Sequence, residues 1–186
     1  MDNQLKNTGT VKPSVNSLEK GRVGFYPCCG KDILVPLKIM KGLVEKVIFC
    51  DKGKDNLPKN KNKVLDQVKL DKLPHPEFVI KDLRDAIPVL PEIHVFFYRG
   101  DGPGEGGSGL YLMGKKWLAK VLEHFPAKNG IIITDGSNRE SKFFKKITRP
   151  EGYYWSTRGW NFKIILPSPR PENKNLRFIK VERVPC

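Results

Sequence analysis

Carboxylates in this chain recur just beyond short apolar runs. Asp32 follows Val23–Tyr26, Asp51 follows Val47–Cys50, Asp82 follows Phe78–Lys81, and Asp101 stands shortly after Ile93–Tyr98. If these runs are parallel strands, their carboxyl ends open onto one crevice, where open α/β sheets bind ligands. Acids gathered there can accept hydrogen bonds from hydroxyl or amino groups, or take a proton from a reacting group. Bulk composition does not dictate such a grouping, because the formal net charge is +14. The competing account is local: Asp and Asn often end strands and cap helices with no ligand involved.

The elements that would position these groups start with the stretch from Gly21 to Asp51, GRVGFYPCCGKDILVPLKIMKGLVEKVIFCD. An apolar run breaks at Pro27-Cys28-Cys29-Gly30, a helix is predicted over Ile33–Val44, and a second run ends on Asp51. Strand, tight turn, helix, strand and acid is the plan of a nucleotide-binding βαβ unit. Such a turn brings backbone N–H groups and a helix start to one point, which favours a polar or anionic ligand. Asp51 falls where a ribose hydroxyl pair needs an acceptor. As an exposed strand-end acid, it is expected to matter for such a ligand and little for folding. Many α/β proteins have this local plan and bind nothing.

Length and composition bound the rest. With 186 residues, 39% hydrophobic and 29% charged, the chain is expected to form one globular domain over residues 21–186, behind a loose polar arm over 1–20. No apolar run approaches the ~20 residues of a membrane span, and the N-terminal segment lacks a signal-peptide centre, so a cytoplasmic location is expected. The four cysteines, Cys28, Cys29, Cys50 and Cys186, include no C-x-x-C pair. They read as free thiols, the buried ones acting as small hydrophobes, rather than as a zinc or other metal site. The positive charge attracts polyanions, so nucleic acid is a candidate partner, with a protein partner as the other option.

Along the chain, Lys52–Lys72 holds seven lysines against three aspartates and is expected to be a mobile surface excursion. Its lysines read as a solvated loop in preference to a phosphate-tracking surface. Val64, Leu65, Val68 and Leu70 fit either a short amphipathic turn or an added strand. After Arg99 comes the glycine-rich segment from Gly100 to Gly109, which lacks the Lys-Ser/Thr ending of a phosphate-binding P-loop. A helix is predicted over Leu110–Phe125, a buried strand over Gly130–Thr134, and a polar helix from Arg139 to about Ile147. Trp160–Leu166 and Leu176–Val184 then read as an antiparallel pair on a sheet edge. The aromatics Tyr153, Tyr154, Trp155, Trp160 and Phe162 are interleaved with Arg158 and Lys163. They could stack on bases, but packing or an oligomer contact is the preferred reading.

This order of elements resembles class I S-adenosylmethionine-dependent methyltransferases over about residues 21–184. The resemblance implies a three-layer Rossmann-like α/β fold, with a mostly parallel sheet and a C-terminal antiparallel hairpin. It also implies S-adenosylmethionine as cofactor and methyl transfer as the reaction, with the acceptor unspecified. The family's glycine-rich turn matches Tyr26-Pro27-Cys28-Cys29-Gly30-Lys31-Asp32, where one glycine is kept. On this resemblance Tyr26, Pro27, Cys28, Cys29, Gly30 and Asp32 face the methionine part, Asp51 holds the ribose, and Asp82 lies near the adenine. Arg99 and Gly100, also assigned to the cofactor on this resemblance, begin the substrate-facing loop Arg99–Gly109, and Asp101 orients or deprotonates the acceptor. The Asp/Asn-Pro-Pro-Tyr/Phe motif of base-amino methyltransferases is absent. Short Rossmann-like proteins with a Tyr-Pro-x-x-Gly-x-Asp turn look similar too. The alternative is therefore a non-catalytic Rossmann-like module with a basic binding surface.

Overall fold

The computed structural model describes residues 21–99, 112, 114–135, 149–167 and 176–185. Strand β1 is Val23–Pro27, followed by helix α1 (Leu34–Met40) and β2 (Lys46–Asp51). Helix α2 (Lys61–Asp71) leads to β3 (His75–Ile80), and the short α3 (Leu83–Ala86) precedes β4 (Val95–Tyr98). Helix α4 (Lys115–Leu122), β5 (Gly130–Thr134), β6 (Tyr154–Thr157), β7 (Trp160–Pro167) and β8 (Arg177–Arg183) complete the described elements.

One eight-stranded sheet has the order β3-β2-β1-β4-β5-β8-β7-β6. The first five of these strands pair in parallel, and β8, β7 and β6 follow in antiparallel pairs. Residues two apart on a strand share a face, and the central strands use both faces. Ile48, Cys50, Phe96 and Tyr98 enter one apolar cluster with α3 and α4. Val47, Phe49, Val95 and Phe97 enter the other with α1 and α2. Helices on both faces of a largely parallel sheet make the three-layer Rossmann-like architecture expected from the sequence. The first and fourth strands are central neighbours, with Gly24 opposite Val95 and Phe25 opposite Phe96.

Several expectations are corrected. Lys52–Lys72 is not a plain loop, because its second half is the eleven-residue α2, capped at its start by the Asn60 side chain accepting the Lys63 N–H. Only Val68 is buried along it, so the apolar signal in the sequence is thin. Helix α1 stops at Met40, where the chain turns through Gly42 at φ +79°. Helix α4 begins at Lys115, since Gly114 before it is extended. Met113 and Leu110, the first apolar positions of the predicted stripe, lie outside the described residues, as does the predicted helix from Arg139 to Ile147. β3 starts three residues before the predicted run and contains Pro76, which is tolerated because β3 pairs on one side alone. The β7–β8 pair is not at the sheet edge: β8 lies between β5 and β7, and β6 is outermost.

Candidate functional site

The turn after β1 has two residues in the left-handed region, Cys28 at φ 50° and Gly30 at φ 53°. Glycine takes that conformation without strain, whereas a cysteine there is held by its surroundings. The turn closes with the Asp32 N–H donating to the Cys29 carbonyl at 3.0 Å. Pro27 pairs opposite Cys50, so the turn sits directly beside the end of β2.

Asp51 ends β2 and is the centre of this region. It is only 7% exposed. Its Oδ1 accepts the Gly53 N–H at 3.0 Å and the Asn56 Nδ2 at 2.7 Å, while Oδ2 accepts the Gly30 N–H at 3.3 Å. The expectation of an exposed strand-end acid is thus corrected: Asp51 ties the β1 turn to the loop after β2. A carboxylate offers about four acceptor positions. Among the described residues, three donors use them, two on Oδ1 and one on Oδ2. One position on Oδ2, the oxygen facing the β1 turn, stays available to a hydroxyl donor.

A second network joins β1 to β4. Arg99 Nε and Nη2 each donate to Asp32 at 2.9 Å, a forked ion pair that fixes both side chains. The Tyr26 hydroxyl donates to Asp32 Oδ2 at 3.2 Å, with the Arg99 carbonyl as a second acceptor at 3.4 Å. The Arg99 guanidinium also lies 5.8 Å from the Phe97 ring centre. Burial, and then the Asp32 carboxylate, push the Tyr26 hydroxyl well above the ordinary tyrosine range, so it is a hydrogen-bond donor at neutral pH.

Asp82 follows β3 and starts α3. Its Oδ1 accepts the Arg84 N–H at 2.9 Å, an N-cap, and the Arg84 side chain grips both oxygens at 2.9 Å. The Arg84 side chain and N–H hold the Asp82 carboxyl down at about 2. The local role of Asp as a helix cap therefore operates here. Burial, and then Asp51, push the Cys29 thiol far up, and the same causes raise Cys50 to about 11. Neither thiol is a thiolate at neutral pH, which removes both as nucleophiles. Cys50 donates weakly to the Lys81 carbonyl at 3.5 Å.

The structure thus brings together Tyr26, Pro27, Cys28, Cys29, Gly30, Asp32, Asp51 and Arg99, with Asp82 at the end of the neighbouring β3. Gly100 and Asp101 lie outside the described residues. Gly53, Asn56 and Arg84 were missed by sequence reasoning. The first two stand within five residues of Asp51 in a stretch that reads as generic loop, and Arg84 follows Asp82 by two in an ordinary capping pattern. Among the described residues, no three His, Cys, Asp or Glu side chains are grouped to hold a metal ion, and no helix is long and apolar enough to cross a membrane. Of the aromatics of β6 and β7, Trp155, Trp160 and Phe162 are buried packing residues, whereas Tyr154 is exposed. A half-open cleft of about 380 Å³ between α4 and the β6–β7 turn lies away from this site, lined by Leu122, Arg158 and Trp160 among others.

No protein-family model and no curated protein matches the chain. Solved structures do. A Streptococcus mutans protein assigned as a methyltransferase and crystallised with SAH shares 13% identity at a TM-score of 0.48, over 91% of this chain and 93% of that one. TrmN from Thermus thermophilus shares 16% identity at 0.47, over 88% of this chain and 44% of the other. A precorrin-6y C5,15-methyltransferase from Geobacter metallireducens shares 14% at 0.47, over 91% and 85%. On its own strand order, its layers and its C-terminal antiparallel strands, the chain has a three-layer Rossmann-like α/β fold.

Proposed function

We propose that the carboxyl end of β1–β4 is a binding site for S-adenosylmethionine, in a small methyltransferase-like protein whose methyl acceptor is unassigned. One observation carries the reading: a buried carboxylate at the end of β2 is hydrogen-bonded to the glycine N–H of the β1 turn and keeps one acceptor position on that side. This donor set fits the group. A ribose hydroxyl can donate to Asp51 Oδ2, while the turn Tyr26–Asp32 flanks the amino-acid part. Asp82, at the end of β3, is on the adenine side. Bound there, the cofactor supplies an activated methyl group on a sulfonium. Transfer of such a group needs mainly in-line positioning of the acceptor. Arg99 leads into the acceptor loop, and Asp101 is the residue assigned to orienting or deprotonating the acceptor.

Calorimetry with S-adenosylmethionine and SAH, alongside adenosine, tests the reading. The expected result is binding of both cofactor forms and weaker binding of adenosine. A ligand at about 100 times its Kd stabilises the native state by about 2.7 kcal/mol, so melting should rise in parallel. No binding at millimolar concentration overturns the proposal. The reading then left is a non-catalytic module whose basic surface binds nucleic acid, which the +14 charge favours.

A further inference from the structure

The lysines of Lys52–Lys72 look like a solvated loop in the sequence, yet the fold divides them between opposite ends of the sheet. A crossover helix between parallel strands starts at their carboxyl end and finishes at their amino end. Lys61 and Lys63, in the first turn of α2, therefore stand at the carboxyl end, and Lys69 and Lys72 at the other. Lys52 and Lys54 follow β2 directly. Lys31 is in the β1 turn, and Lys81 follows β3, its N–H bonded to the Asp51 carbonyl at 3.0 Å. These six lysines, and Lys59 in the same loop, are exposed, and none pairs with a carboxylate among the described residues.

The acids of the same edge do not offset them. Asp32 is neutralised by Arg99, Asp82 by Arg84, and Asp51 is buried under three donors. Three exposed acids share this end with the lysines, Asp55 in the loop, Asp66 on α2 and Asp85 on α3. Of the acids that mark this end in the sequence, Asp51 is buried and Asp32 and Asp82 are each paired with an arginine, so the unpaired charge facing outward is mostly that of the lysines. Separate lysines on three consecutive strand-end segments form a row of point charges, the arrangement that follows a phosphate backbone. Lys61 is further steadied 5.2 Å from the Phe78 ring centre, and the exposed Ile80 sits in the row beside Lys81.

We infer that Lys31, Lys52, Lys54, Lys61, Lys63 and Lys81 form a phosphate-contacting surface that holds nucleic acid along the carboxyl edge of β1–β3. The assignment locates the nucleic-acid partner read from charge, and it stands whether or not a cofactor binds in the crevice beside it.

The test is fluorescence anisotropy with a labelled single-stranded RNA of about 20 nucleotides, without cofactor, over a range of salt. Two variants have the same net charge: Lys52→Gln/Lys54→Gln/Lys63→Gln at the carboxyl edge, and Lys69→Gln/Lys72→Gln/Lys128→Gln at the amino end. Gln keeps helix propensity close to Lys, and melting confirms that both variants fold. The carboxyl-edge variant should bind roughly tenfold or more weakly, with a salt slope lower by about 2, while the control changes less than about threefold. Equal weakening of the two variants, or none in either, overturns the assignment. So does competition by polyglutamate as effective as by unlabelled RNA, which would point to an acidic protein partner. Cofactor calorimetry on the same carboxyl-edge variant should be unchanged, which separates failure of this surface from failure of the cofactor reading.

Discussion

The two halves of the sheet are held together by different physics. Where β1–β4 end, polar side chains tie loop to loop: Asp51 to three donors, Asp32 to Arg99 and Tyr26, and Asp82 to Arg84. Where β6–β8 pair, aromatic rings do that work. Trp155 and Phe162 stack at 5.2 Å, Phe125 meets Trp160 edge-on at 6.5 Å, and Arg183 lies 5.1 Å from the Trp160 ring centre. The first half gathers its polar groups at the strand ends, where they can exchange a protein partner for a ligand atom. Hydrogen-bonded loops can be re-satisfied by a ligand, whereas a stacked ring that leaves its neighbour leaves a void.

The largest expected effect breaks the aromatic half. Phe162→Ala removes a ring that is fully buried on Trp155, and should cost about 3–5 kcal/mol in urea unfolding while leaving cofactor affinity of the folded protein unchanged. Loss of that affinity at constant folded fraction would show that the halves are coupled. Next comes Asp51→Ala, which leaves three donors without their acceptor and should cost about 2–3 kcal/mol. Because that variant mixes folding with binding, Asp51→Asn is the sharper probe of the ribose role. It keeps an acceptor, so melting should fall less, and affinity should drop roughly tenfold. Unchanged affinity in Asp51→Asn would move the ribose site elsewhere.

Smaller again is the Asp32–Arg99 pair, whose side chains are 31% and 25% exposed. A double-mutant cycle with Asp32→Asn and Arg99→Gln should give a coupling of roughly 1 kcal/mol after solvent screening. A zero coupling would mean that the fork is held by its neighbours and contributes nothing itself. Alkaline titration should show a gradual loss. The folded-state rise of Cys50 from 9.0 to about 11 adds stability that is complete below pH 9 and disappears as pH climbs through about 11. Cys29 acts in the same direction. A Cys29→Ala/Cys50→Ala variant should flatten that slope in denaturant midpoints taken from pH 8 to 11. The smallest effect belongs to Asp82 and Arg84 on the exposed rim. Asp82 is depressed, so its contribution is present above pH 3.8 and fades as pH falls through about 2. Arg84→Ala should shift melting at pH 7 less than any variant above, and a larger shift would place Arg84 in the core of the site.

The fold was legible because its signals are collective. Val47–Cys50 and Ile93–Tyr98 are apolar on both faces, which only a central strand of a covered sheet requires. Helix α2 was not legible, because a single buried residue, Val68, leaves no stripe to read among its lysines. The burial of Asp51 was hidden for a related reason: its donors include the N–H of Gly30, 21 positions away, and no local pattern encodes such a contact. Position at a strand end could be read from sequence, but the direction each carboxylate faces could not. The burial of Asp51 and the arginine partners of Asp32 and Asp82 are what turn an apparently acidic edge into a cationic one.

The insertion of β8 between β5 and β7 bears on how the chain must be assembled. Ile131, Ile132 and Ile133 of β5 pair with Lys180, Ile179 and Phe178, nearly fifty residues further along. Until those residues emerge from the ribosome, β5 is an open sheet edge of three consecutive isoleucines, a ready template for another chain. The parallel half can form early, but it waits with its most adhesive strand uncovered. Any nascent or truncated chain that ends before β8 is therefore the species a chaperone would have to guard.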